Sequence, residues 1–277
     1  MISEQIKILK KEGIYMACRD FYNGTTCNND ANKQVSEKEA ETPLLFGVDS
    51  KTPANTILQN NLTEFEWATK NKLYPNFWGR NINGENSLTK DEIAFLHSKG
   101  CKIAAIYHDD NPKDTENNGA IAGKNIAAKA IELGIPKNVA VFLSLETDEK
   151  VNGEYMKGYA NCLVEEGFTP GFRANTDAHY SFDAEFSRGM QADKPLFDKC
   201  LIWAVAPTLK DYNGITTSHL IHPDNWGPFA PSSITKSDIA IWQYGSDCHP
   251  ILDYKDNKTS FNVNLVKSKL FITEKLF

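Results

Sequence analysis

Residues 139–150 read VAVFLSLETDEK, and how this stretch is read decides the fold. An almost unbroken apolar run from Val139 to Leu145 suits a strand covered on both faces, because a strand with one wet face alternates apolar and polar residues. The run then closes on Glu146, Thr147, Asp148 and Glu149, so an interior strand delivers carboxylates at its end. Period-2 alternation sets Phe142, Ser144 and Glu146 on one side of it.

The flanking sequence repeats the theme. Strands are expected at 44–49, 74–81, 102–109, 139–146, 169–175, 200–207 and 239–245, most of them continuously apolar, with helical patterns between. LTKDEIAFLHSKG (88–100) carries a complete helix-start signal: Thr89 as N-cap, Glu92 as its capping-box partner, and Leu88 with Ile93 as a hydrophobic staple. Gly100 supplies the left-handed stop, as Gly134 and Gly167 do for the next two helices. Such alternation fits either an open doubly wound sheet or a closed barrel. GVDSKTPANT, after the first strand, has no G-x-G-x-x-G phosphate fingerprint, so a barrel is favoured. The expected fold class is α/β, a (β/α)8 TIM-type barrel over residues 44–277. One strand remains hidden, and the Pro- and Gly-rich stretch 210–237 is where it is expected. Residues 1–43, with the polar run NGTTCNNDANKQVSEKEAETP, hold too little apolar surface for a core and read as an N-terminal extension.

A barrel builds its site at the C-terminal ends of its strands. Those ends are polar here: Asp49, then Arg80 and Asn81, His108 and Asp109, Glu146 and Asp148, Arg173 and Asn175, and finally Gln243 and Tyr244. The opposite ends begin with Leu44, Val139 or Ile239. A carboxyl above packed apolar side chains is poorly solvated and retains its proton to higher pH, which makes Glu146 the general-acid candidate. Asp49, from another strand, is the candidate second carboxylate that glycoside hydrolysis needs. Arg80, His108, Asp109 and Asp148 are expected to bind substrate. Trp78, Trp203, Trp226 and Trp242, with Tyr107 and Tyr244, are aromatic faces on which sugars can stack, and Trp242 and Tyr244 are placed near the cleft.

The order of motifs adds a resemblance. FGVDS, FWGRN, LTKDEIAFLHSKGCKIAAIYHDD, LGIPKNVAVFLSLETD, EGFTPGFRAN and IAIWQYG, spread over 44–265, resemble the glycoside-hydrolase-like domain family of unknown function, itself similar to the family 25 lysozymes, which are muramidases on a β/α barrel. The resemblance implies roles for Asp49, Arg80 and Glu146, and matches Trp242, Gln243 and Tyr244 to a late WQY motif. It implies a cell-wall (peptidoglycan) or related polysaccharide as substrate. Two positions depart from the lysozymes: Ser144-Leu145-Glu146 stands where they carry Asp-x-Glu, and Asn262-Val263-Asn264 where they carry Asp-x-Asn. A catalytically silent carbohydrate-binding module on the same barrel is the rival reading.

Composition excludes other classes. A net charge of −6 over 277 residues, without a Lys/Arg stripe, argues against nucleic acid as a partner. No apolar run approaches the ~20 residues of a membrane span. His108-Asp109-Asp110 and His219/His222 would be the ligands of a metal hydrolase, but the spacing of a metal-binding helix is missing, and no metal or other cofactor is expected. The N-terminus lacks a visible signal peptide, while a polysaccharide substrate would place the protein outside the cytoplasm or at the cell envelope. Cys101, Cys162 and Cys200 fall in strand or helix patterns as buried thiols, and a Cys18–Cys27 disulfide stays open.

Overall fold

The computed structural model of the chain describes residues 43–110, 113–145, 151–250 and 259–277. Residues 1–42, with Cys18 and Cys27, lie outside the described residues, as do Glu146, Asp148 and Glu149.

Each strand expected from the sequence forms: β1 (Leu45–Asp49), β2 (Phe77–Asn81), β3 (Lys102–His108), β4 (Ala140–Leu145), β5 (Thr169–Ala174), β6 (Leu201–Lys210) and β8 (Ile239–Pro250). The first six pair in sequence order, all parallel, and β6 pairs in parallel with β8. Closure comes from β9 (Phe261–Val266), which runs antiparallel to both β8 and β1. The result is a closed eight-stranded α/β barrel.

The expectation for the hidden strand therefore needs correction. Stretch 210–237 contributes only β7 (Asn213–Ile215), a three-residue strand paired with the far end of β8 and outside the barrel. The eighth barrel strand is β9, and its direction breaks the parallel strand–helix repeat. FNVNLV, whose Asn262 and Asn264 the sequence marks only as a departure from the lysozyme motif, is not legible as a strand because its asparagines face inward and it lacks the continuous apolar run of the other strands.

Helix signals account for the layer outside. Thr89 accepts a hydrogen bond from Glu92 N at 3.1 Å and starts the helix Lys90–Ser98, and Gly100 follows with φ 70°. The capping box is incomplete: the Glu92 side chain is recruited instead by Arg80 and by the backbone of Ala54. Thr115 and Asn152 cap Glu116–Leu133 and Gly153–Glu165 in the same way, and Gly134 and Gly167 stop them at φ 78° and 83°.

Alternation divides the core in two. Phe46, Val48, Trp78, Ile103, Val141, Leu143 and Phe172 face the helices, whereas Phe77, Ala104, Phe142, Trp203 and Ile241 fill the barrel interior. Phe77 and Phe142 meet the Trp203 ring edge-on at centroid distances of 6.4 and 5.4 Å. Three aromatic rings fit because the neighbouring wall is glycine: a Cβ on Gly79 would lie 2.8 Å from Trp203 and 2.6 Å from the Asp49 Cβ. Ile272 and Leu276, on and just after the C-terminal helix Lys269–Lys275, close the apolar end. The barrel is thus plugged at one end and polar at the other.

Candidate functional site

The polar end is organised around Asp49. Its carboxylate accepts from Asn262 Nδ2 at 2.9 Å and Asn264 Nδ2 at 2.8 Å, and Arg173 approaches at 3.3 Å. Register explains the two amides: Asp49 pairs with Asn262 across the β1–β9 ladder, and period 2 returns Asn264 to the same face. Arg173 also donates to Gln243 Oε1 at 2.6 Å, and its guanidinium sits 5.1 Å above the Trp203 ring. Trp203 Nε1 donates to Asn264 Oδ1 at 2.9 Å. Residues from β1, β5, β6, β8 and β9 are tied into one buried network, with the carboxylate at its centre. Burial lowers the Arg173 pKa and the Asp49 charge opposes that.

A cavity of about 350 Å³ opens above this network, lined by Asp49, Lys51, Asn81, His108, Asp109 and Ser144 among others. His108 contacts Asn81 Oδ1 through Nε2 at 3.1 Å. Its pKa is lowered by desolvation and by the Arg173 charge, which favours the neutral ring at pH 7. Asp109 is buried, and its Oδ2 accepts the Tyr155 hydroxyl at 2.6 Å. Asp110 and Lys113 complete that wall, with Lys113 Nζ donating to Asp109 O at 2.9 Å. Among the described residues no group of three His, Cys, Asp or Glu is placed to hold a metal ion.

Of the residues selected from sequence, Asp49, His108 and Asp109 come together at the cavity, and Gln243 joins beneath it through Arg173. Glu146 and Asp148 lie outside the described residues, and Ser144, two residues before Glu146 in the sequence, lines the cavity. Arg80 sits elsewhere. It is fully buried, 2.8 Å from Glu92 through Nε, and donates to Ser50 O at 2.6 Å and Asn86 O at 2.5 Å. Trp242 and Tyr244 also turn away. They pack on each other, and Trp242 also on Trp226, in the helix-side layer, because alternation that aims Gln243 inward sends its two neighbours outward. Among the described residues no Trp, Tyr or Phe lines this cavity, so sugar stacking on this aromatic set has no support there.

The sequence places Arg173 among the polar strand ends and Asn262 and Asn264 at a departure from the lysozyme motif, without assigning any of the three a role in the site. Asn262 and Asn264 had a signal, two amides two residues apart on one strand face. For Arg173 the signal was its place beside the other polar strand ends, while its partners are distant in sequence.

A model described as the Rv2525c-like, glycoside hydrolase-like domain matches residues 54–255. No curated protein is recognisably similar to the chain. Among solved structures, an uncharacterized B. stearothermophilus protein is 25% identical, with a TM-score of 0.67 over 84% of this chain and 100% of its own. A muramidase from Acremonium alcalophilum is 12% identical over 81% of this chain and 94% of its own, TM-score 0.45. A family GH25 lysozyme from Aspergillus fumigatus is 14% identical over 83% and 97%, TM-score 0.45. The chain belongs to the Rv2525c-like, glycoside hydrolase-like domain family.

Proposed function

We propose that the barrel cleaves a cell-wall (peptidoglycan) or related polysaccharide, with Asp49 as the fixed carboxylate and Glu146 as the proton donor. The observation that carries this reading is the placement of Asp49 at the base of a polar cavity with its orientation set by three donors. A carboxylate so held needs no reorganisation to stabilise positive charge developing on a sugar ring. Ser144 lines the cavity, and the period-2 spacing of the sequence is the ground for assigning Glu146, two residues further on, to the donor role. Protonation of the glycosidic oxygen would come from Glu146, with His108 and Asp109 orienting sugar hydroxyls. In this reading residues 44–277 carry the activity and residues 1–43 are an extension whose protein partner is open.

The rival, a carbohydrate-binding module without turnover, is favoured by Ser144: a cavity-lining serine where the resemblance leads one to expect a carboxylate. The family match begins after Asp49 and ends before Asn262, so it does not distinguish the two. Reducing-end release from purified peptidoglycan, compared with Glu146→Gln at matched folded concentration, does. The hydrolase predicts release that drops by at least about 100-fold in the variant, as expected when a general acid is removed. Binding without release in either protein would establish the module instead.

A further inference from the structure

Glu64 stands in none of the motifs, yet it holds the wall of the cleft. Ser50 and Lys51 form a wall shared by the main cavity and a second space of about 230 Å³. Asp49, Ser50, Lys51 and Asn262 line both, and Glu64 and Asp247 bound the second. Three buried side chains fix this partition. Glu64 Oε1 accepts the Ser50 hydroxyl at 2.9 Å, and Ser50 Oγ in turn accepts Thr52 N at 3.1 Å. Arg80 donates to Ser50 O at 2.6 Å, and Ala54 N donates to Glu92 Oε1 at 2.7 Å.

Charge in this cluster is unbalanced, with two carboxyl groups against one guanidinium. Arg80 lies 2.8 Å from Glu92, which therefore takes the cation. Glu64 has 0% exposure, and its Oε2 has no hydrogen-bond partner among the described residues. An ionised carboxylate supported by one hydroxyl in such a place is costly, and the uncharged acid is the form that burial selects.

We propose that Glu64, held as a neutral acid, is a positioning residue of the cleft: it fixes Ser50 and hence the partition beside Asp49, and its ionisation loosens that segment. The role rests on the glycan-cleft reading only for the ligand that reports it. Desolvation, opposed by Ser50 and Arg80 and reinforced by Glu92, raises the Glu64 pKa to about 8. The charged groups around it are Arg80 and Glu92, with Asp49, Lys51 and Asp247 across the second space. Above that pH a second negative charge enters a cluster whose single cation is already taken.

The test follows backbone amides 49–54 by NMR in the unliganded full chain between pH 6 and 9.5, together with binding of soluble peptidoglycan fragments over the same range. In the wild type these amides should titrate with a midpoint near 8, and binding should weaken several-fold above it. Glu64→Gln, a neutral isostere, should keep neutral-pH binding and abolish both pH effects, while Glu64→Ala should bind weakly throughout. Should Glu64→Ala not fold, Glu64→Gln still decides. Flat amides in the wild type, or the same titration in Glu64→Gln, would overturn the proposal. Titrating amides without fragment binding at any pH would uphold the role of Glu64 and sink the glycan reading alone.

Discussion

Asp49 and Arg173 are both buried and face each other at 3.3 Å, so each is the other's charge compensation. Removing one member of a buried pair costs more than the pair contributes, because the survivor stays desolvated. Asp49→Asn keeps shape and removes the opposite charge 3.3 Å from the guanidinium, while Gln243 Oε1 still accepts from it. The expected loss is about 3 kcal/mol of unfolding free energy, at the lower edge for a broken buried pair because Gln243 still accepts. Urea unfolding checks it, and a loss under about 0.5 kcal/mol would mean that the amides, not the ion pair, hold the site. Asp49 was legible in the sequence because a carboxylate at the end of an apolar strand is conspicuous. Its partners were not, since Asn262 and Asn264 become neighbours only when β9 closes the barrel. Arg80 shows the opposite limit. Its strand-end position points to ligand contact, but Glu92, one layer out, is its buried partner. The local capping-box reading of Glu92 failed to that same tertiary demand.

Among the elements, seven parallel strands and three of the helices between them are legible in the chain, because most of the strands are continuous apolar runs and those helices carry caps and left-handed glycines. The closing strand is not, because its inward face is built for the site. On β9 the inward positions run Asn262, Asn264, Val266, polar at the mouth and apolar below. Register makes this work, since a one-residue slip would turn both amides out of the barrel. The helix Lys269–Lys275 then carries the chain across the opposite end, where Leu276 is 1% exposed and packs with the interior aromatics. No motif in the sequence marks that final turn, yet it is the barrel's floor. Leu276→Ala should cost about 2–4 kcal/mol, the range for truncating a buried leucine into a site that collapses only partly. Equilibrium denaturation would show it as a lowered midpoint with an unchanged slope, and an unaltered midpoint would mean that the terminus is dispensable to the core.

Over the whole molecule, the buried acids set an unusual dependence on pH. Most folded proteins hold their carboxylates at depressed pKa and lose stability in acid, but Glu64 and Glu92 are both raised, chiefly by burial. Glu64 starts the helix Glu64–Lys70, where a helix N-terminus favours an anion by roughly 0.3–1 kcal/mol. Desolvation of a fully buried carboxylate amounts to several kcal/mol and wins. A raised folded pKa means the folded state retains a proton that the unfolded chain has released. The Glu64 contribution is therefore fully present below its ordinary value of 4.5, declines as pH rises, and is gone above about 8. His108 runs the other way: its lowered pKa makes the folded state refuse a proton, so its contribution is present above the ordinary value of 6.5 and is lost in acid. Being solvent-exposed, His108 carries the smaller share. Thermal stability at constant ionic strength should fall between pH 5 and 8.5 in the wild type, by about 3 kcal/mol or more for a shift of this size. Glu64→Gln should flatten most of that slope and be the more stable protein at pH 8. A wild-type profile that rises over the same interval would show that Glu64 is ionised in the fold, and that the cluster around Arg80 carries two negative charges rather than one.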